Sequence, residues 1–139
     1  MAYCTQSDLE DRYGADRLAS LADYDGDGSG DADTVGGAID DAQAEIDSYL
    51  QTRYSVPVDP VPNVLRVQTA KLAMHYLALQ RDSVTEDLEQ ARKDVISWCE
   101  QVAAGQVTLA AETTPKESEG AARVSLNGKD RVFGRDKFL

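Results

Sequence analysis

The chain has 139 residues, 42 % of them hydrophobic, and a formal net charge of −11. That is enough apolar material for one packed domain and too little length for two of comfortable size, and it is not the composition of a disordered chain. No run approaches the ~18 consecutive apolar residues of a membrane span, and the opening MAYCTQSDLEDRYG lacks the basic and apolar segments of a secretory signal, so the chain is expected to mature in the cytoplasm of the cell that makes it.

The charge is unevenly spread. Residues 1–61 hold fourteen acids against three bases, and residues 62–139 hold eleven of each. Residues 120–139 carry Arg123, Lys129, Arg131, Arg135 and Lys137 against Asp130 and Asp136, a local balance of +3. An acidic body with a basic tail argues against sequence-independent DNA binding, which works by neutralising phosphates. It suits copies meeting head to tail, the basic tail of one on the acidic flank of the next, although a merely soluble surface needs no more than this. Cys4 and Cys99 have no motif spacing and read as free thiols, Cys99 on an apolar helix face.

In chain order, Thr5 or Ser7 caps a first short helix, with Asp8 or Glu10 completing a capping box and Gly14 as a natural stop. A second short helix over about 15–22 carries Leu18, Leu21 and Ala22. The run DYDGDGSGDADT follows, with Asp33 or Thr34 as cap of the next helix. Val35, Ala38, Ile39, Ala42, Ile46, Tyr49 and Leu50 then recur at three- and four-residue steps, an amphipathic helix reaching about Arg53. Its polar face holds Asp40, Asp41, Gln43, Glu45 and Asp47.

Prolines 57, 60 and 62 predict extended backbone and exclude helix. Asn63 caps a helix to about Asp82 whose apolar arc, Val64, Leu65, Val67, Leu72, Met74, Tyr76, Leu77 and Leu79, is wide enough for a central position. Ser83 with Glu86 opens a further helix to about Ala104, striped by Leu88, Ala91, Val95, Trp98, Cys99 and Val102 and ended by Gly105; QVTL reads as a short strand. The expected fold is all-α: a compact bundle of about four helices, two or three of them long, over residues 1–110. Residues 111–139 are a polar linker, AETTPKESEG, and a small β-hairpin or extended tail turning at Asn127-Gly128. A three-residue loop, Asn127 to Lys129, opposes Val124 with Val132 and gives the cleaner apolar face. An isolated hairpin is marginal in water, so this one is expected to lie on a neighbouring subunit.

The Asp run invites comparison with a helix-loop-helix calcium loop, which takes ligands at positions 1, 3, 5, 7, 9 and 12 with glycine at 6. Asp23, Asp25, Asp27, the Ser29 carbonyl and Asp31 match, and Gly28 supplies the turn. Position 8, commonly aliphatic, is Gly30, and position 12, where a bidentate glutamate closes the shell, is Thr34. The plainer reading is an acidic, glycine-rich turn whose aspartates favour the positive end of the next helix. Catalytic signatures are absent: the single histidine, His75, reads as a satisfied, partly buried imidazole, and no nucleophile, zinc or phosphate-loop motif occurs. No enzyme activity and no cofactor are expected, beyond weak calcium at the loop.

The order YCTQSDLEDRYG, DYDGDGSGDADT, AIDDAQAEIDSYLQTRYSVPV and RVFGRDKF resembles the Mu-like head–tail adaptor proteins of tailed phages and prophages over nearly the whole chain; AEIDSYLQTRYSVPV is the most specific piece. The resemblance implies a helical bundle assembled as a ring of about twelve copies beneath the portal. Such a ring extends the DNA channel and joins capsid to tail or to a neck protein, without enzyme activity. It implies a place in the virion at the head–tail junction, synthesis in the host cytoplasm, and itself, the portal and a neck or tail-terminator protein as partners. DNA would pass without specific binding, and no membrane is involved. Asp40, Asp41, Glu45 and Asp47 are then expected to face the lumen. Arg123, Val124, Leu126, Arg131, Val132, Phe133, Arg135 and Phe138 are expected to dock on a neighbouring subunit or the portal. The competing expectations are a calcium-dependent binding module built on residues 23–34, another neck ring such as a tail terminator, and, weakest, a small enzyme.

Overall fold

The computed structural model describes residues 2–109, which form five helices. Helix α1 (Gln6–Tyr13) starts at Thr5, whose hydroxyl accepts from the Asp8 amide at 3.2 Å while the Asp8 carboxylate accepts from the Thr5 amide at 2.9 Å. This reciprocal capping box satisfies two amides that the helix itself cannot. Gly14 takes φ 92, a conformation that a side chain would resist, and splits α1 from α2 (Ala15–Ala22).

Helix α3 (Ala32–Leu50) buries Val35, Ala38, Ile39, Ala42, Ile46 and Leu50, the expected stripe. Its cap is Asp31, not Asp33 or Thr34, and the Asp31 side chain makes no cap bond because its Oδ2 accepts from the Tyr24 amide at 3.0 Å. The helix stops at Leu50, short of Arg53. Residues 51–53 turn away, and the Arg53 guanidinium donates to the Val102 carbonyl at 3.2 Å. Over residues 55–62 the backbone is irregular instead of simply extended, with cis peptides at Val56–Pro57 and Asp59–Pro60.

Helix α4 (Asn63–Gln80) takes Pro62 as its N-cap, so Asn63 is the first helical residue and not the cap. Leu65, Ala70, Leu72, Ala73, Met74, Leu77 and Ala78 are buried, together with Thr69 and His75. The breadth of this arc puts α4 against α3 and α5, with α1 and α2 also in contact. At its two ends the arc fails: Val64 is 36 % and Leu79 57 % exposed. Helix α5 (Glu86–Ala103) is capped by Thr85, whose hydroxyl accepts from the Leu88 amide at 3.2 Å. Ser83 is used differently: its amide donates to the Ala78 carbonyl at 2.9 Å and closes α4. QVTL forms no strand; Leu109 is buried, and its amide donates to the Tyr54 hydroxyl at 2.9 Å. Cys4 and Cys99 are both buried free thiols, and burial pushes each up to about 12. Trp98 packs half-buried against the core.

The long helices alternate in direction. Arg53, just past α3, meets Val102 near the end of α5, while Arg81, just past α4, reaches the Leu21 and Asp23 carbonyls next to the start of α3. Residues 111–139, where the linker and hairpin are expected, lie outside the described residues. No helix among the described residues is long and apolar enough to cross a membrane.

Replacing the true cap has a measurable consequence. Thr85→Ala is expected to lower unfolding free energy by about 1 kcal/mol in urea denaturation, and Ser83→Ala by clearly less. The reverse order would place the cap at Ser83.

Candidate functional site

Two features carry the candidate chemistry: the Asp-rich loop between α2 and α3, and the polar face of α3. The loop folds on its own backbone. Asp23 accepts from the Gly26 and Gly28 amides, both at 2.8 Å; Asp25 accepts from the Asp27 amide at 3.0 Å; and Asp27 accepts from the Ser29 amide at 2.9 Å and its hydroxyl at 3.1 Å. The Asp25 and Asp27 bonds reach the amide two residues on and are Asx turns, whereas Asp23 gathers amides from farther along the loop. The loop closes where the Asp31 amide donates to the Ala22 carbonyl at 2.8 Å.

Gly30 explains one departure from the calcium-loop pattern. A Cβ at this buried position would sit 3.2 Å from Val35 Cγ2 and 3.3 Å from Leu18 Cγ, so α2 and α3 approach too closely for the aliphatic residue the pattern favours. The Gly30 carbonyl also accepts from Gln6 Nε2 at 3.0 Å, tying the loop to α1.

One carboxylate oxygen from each of Asp23, Asp25, Asp27 and Asp31 falls within 4.8 Å of the others, a spacing at which the four could reach one divalent ion. The fit is incomplete. Thr34 lies inside α3, no glutamate closes the shell, and both Asp23 oxygens are already occupied by amides. The crowding shows in the acidities. The Gly28 amide, chiefly, draws Asp23 below its ordinary range. The Asp27 amide pulls Asp25 the same way, yet hydrogen bonding with Asp23 and the charges of Asp27 and Asp31 leave Asp25 above it. Asp31 Oδ1 is buried with no hydrogen-bond partner.

The four acids expected on one solvent-facing surface of α3 separate into two kinds. Asp40 and Asp41 are exposed. Glu45 is half-buried: the Tyr76 hydroxyl donates to its Oε1, and Arg92 Nη2 sits 3.0 Å from its Oε2, joining α3, α4 and α5. Burial and the Glu45 charge push the Tyr76 phenol up to about 12. Asp47 accepts from the Tyr3 hydroxyl, which in turn accepts from the Val58 amide at 2.8 Å, while the Tyr3 amide donates to Gln43 Oε1 at 2.9 Å. Burial raises both the Tyr3 phenol and the Asp47 carboxyl, although the Tyr3 hydrogen bond pulls Asp47 back down.

His75 is more deeply buried than expected and only half satisfied, with Nε2 3.3 Å from Glu89 Oε1 and Nδ1 without a partner. Sequence reasoning also passed over Arg81, which stacks 4.0 Å from the Tyr24 ring centroid while bonding two loop-end carbonyls. No spacing rule links positions so far apart. The docking candidates Arg123, Val124, Leu126, Arg131, Val132, Phe133, Arg135 and Phe138 lie outside the described residues.

The sequence profile of a family described as Bacteriophage Mu, Gp36 matches residues 3–126. The chain is similar to Gene product J of Escherichia phage Mu, at 34 % identity over 137 residues, covering 97 % of this chain and 96 % of that protein. It is also similar to the Mu-like prophage FluMu protein gp36 of Haemophilus influenzae, at 29 % identity over 134 residues, covering 96 % of this chain and 94 % of the other.

Asp47 supplies a pH test. Its folded-state pKa lies above the unfolded value, so between the two the folded chain binds the extra proton, and the stability tied to that proton is lost as pH rises through the interval. Asp47→Asn keeps an acceptor for Tyr3 but cannot titrate. Urea midpoints at about pH 4 and about pH 6 should differ between wild type and variant in that sense, the variant gaining relative to wild type as pH rises. An identical pH dependence would refute the assignment.

Proposed function

The chain belongs to the Bacteriophage Mu, Gp36 family, and on that premise we propose that it is a structural head–tail connector of a tailed phage. Copies form a ring beneath the portal, probed by the DNA on its inner side and by the tail on its lower side. The observation that carries this reading is the polarity of charge: fourteen acids against three bases in residues 1–61, and a +3 balance in residues 120–139. Copies with opposite charge at separate places associate head to tail, and such contacts close into a ring when the rotation permits. Both relatives align with almost the full length of the chain, the acidic body and the basic segment together.

Within the ring, carboxylates facing the lumen repel phosphates and let DNA slide without sticking. Exposed Asp40 and Asp41 suit that task. Glu45 and Asp47 are engaged with Tyr76, Arg92 and Tyr3, so their part is to hold the wall together. The ring is held by contacts and not by chemistry, so the protein has neither substrate nor cofactor in this reading. The calcium-dependent module is the second reading, favoured by the four clustered aspartate oxygens; it leaves the basic tail without a task. Another neck ring, such as a tail terminator, shares the same physics and differs only in its neighbours.

The test is a truncation. Protein lacking residues 112–139 is expected to fail to attach to portal-bearing, DNA-filled heads, while the full chain attaches. Normal attachment of the truncated protein would remove the tail as the docking element.

A further inference from the structure

Between α3 and α4 the chain runs through residues 51–62 without helix, a long connection where helix–helix links commonly take about 2–8 residues. Its own backbone does little to hold it. The Arg53 and Tyr54 amides close onto the Leu50 carbonyl, and prolines 57 and 60 have no N–H to give. The buried Val58 donates its amide to a side chain, the Tyr3 hydroxyl, at 2.8 Å.

Three side-chain clasps do the holding, and they come from different parts of the chain. Tyr3 accepts from Val58, donates to Asp47 and bonds Gln43 through its amide at 2.9 Å, so the stretch leading into α1 is fixed to this connection and to α3 at once. Arg53 Nη1 donates to the Val102 carbonyl at 3.2 Å, and its guanidinium lies 5.6 Å from the Tyr54 ring centroid, which fastens the end of α5. The buried Tyr54 accepts from the buried Leu109 amide at 2.9 Å. The two phenol bonds each span 55 positions of sequence, in opposite directions.

We infer that residues 51–62 open and close as one unit, so that the N-terminal stretch at Tyr3 and the chain leaving α5 at Leu109 are held together or freed together. Opening this unit leaves the apolar contacts among α3, α4 and α5 in place, so it takes less than unfolding the bundle. It is also all-or-none. Tyr54 and Val58 both sit in the core, and Pro57 between them has its φ fixed by its ring, so displacing one anchor displaces the other. Releasing one phenol alone would leave a buried amide without an acceptor, which disfavours half-open states. The connection is thus a two-state element that both ends of the described chain bias. This inference is independent of the connector reading and stands or falls without it.

Amide hydrogen exchange in the nitrogen-15-labelled full chain, followed by NMR, tests this. In the unmodified protein the Val58 and Leu109 amides are expected to share one protection factor, roughly tenfold or more below that of Ala73 in the middle of α4. Tyr54→Phe keeps the ring and removes the acceptor of Leu109 alone, yet it should lower Val58 protection by on the order of tenfold, and Tyr3→Phe should do the same to Leu109. Arg53→Met, at a partly buried position, removes the third clasp without altering either phenol and should lower both amides by one common factor, which keeps the test open where a phenol variant does not fold. Sites acting independently at this separation show no such cross effect. Val58 unchanged in Tyr54→Phe, Leu109 unchanged in Tyr3→Phe, or a response of only one amide to Arg53→Met would overturn the coupling. Val58 as protected as Ala73, or protected to a different degree from Leu109, would overturn the shared opening itself.

Discussion

Helix α4 has to bury an apolar arc that no single neighbour can cover, and most of the architecture follows from that constraint. Leu65, Leu72, Met74 and Leu77 are fully buried, and side chains of that size contribute roughly 1.5–3 kcal/mol each on leaving water. Covering them takes α3 on one flank and α5 on another, with α1 and α2 closing the remainder. Residues 51–62 join α3 to α4 and residues 81–85 join α4 to α5, and the three long helices alternate in direction. The alternation sets the Asp loop at one end and Leu109, the last described residue, at the other.

Polar contacts then lock this packing at three places. The Tyr3 hydroxyl takes a proton donor from Val58 and offers its own proton to Asp47, using both capacities of a phenol in a site where water is scarce. Glu45 draws Tyr76 and Arg92 together across three helices. Arg81 ties the end of α4 to the end of α2 and the loop. Such contacts add modest net stability and more geometric definition, since an unpaired partner in any of them would be a buried loss.

Local signals were legible in the sequence wherever the physics is local. The apolar steps of α3, the capping box at Thr5, the stop at Gly14 and the breadth of α4 all follow from side chains within one or two turns. What escaped depends on partners distant along the chain. Asp47 and Glu45 share a polar face with Asp40 and Asp41, and nothing within α3 says that Tyr3 and Arg92 will claim two of the four. Ser83 with Glu86 has the spacing of a capping box for α5, but its amide is needed to finish α4, and Thr85 is the cap. Gly30 broke the calcium-loop pattern for a packing reason visible only once Val35 and Leu18 converge on it.

We propose that this chain works by fitting against its own copies and its neighbours to keep a passage open. Electron cryomicroscopy of the neck in finished particles tests that most directly. The expected map shows a closed ring of helical bundles between portal and tail, each accommodating the α3–α4–α5 packing described above, with Asp40 and Asp41 turned to the channel. Particles whose neck density leaves no place for this bundle, or in which it lies away from the DNA path, would contradict it.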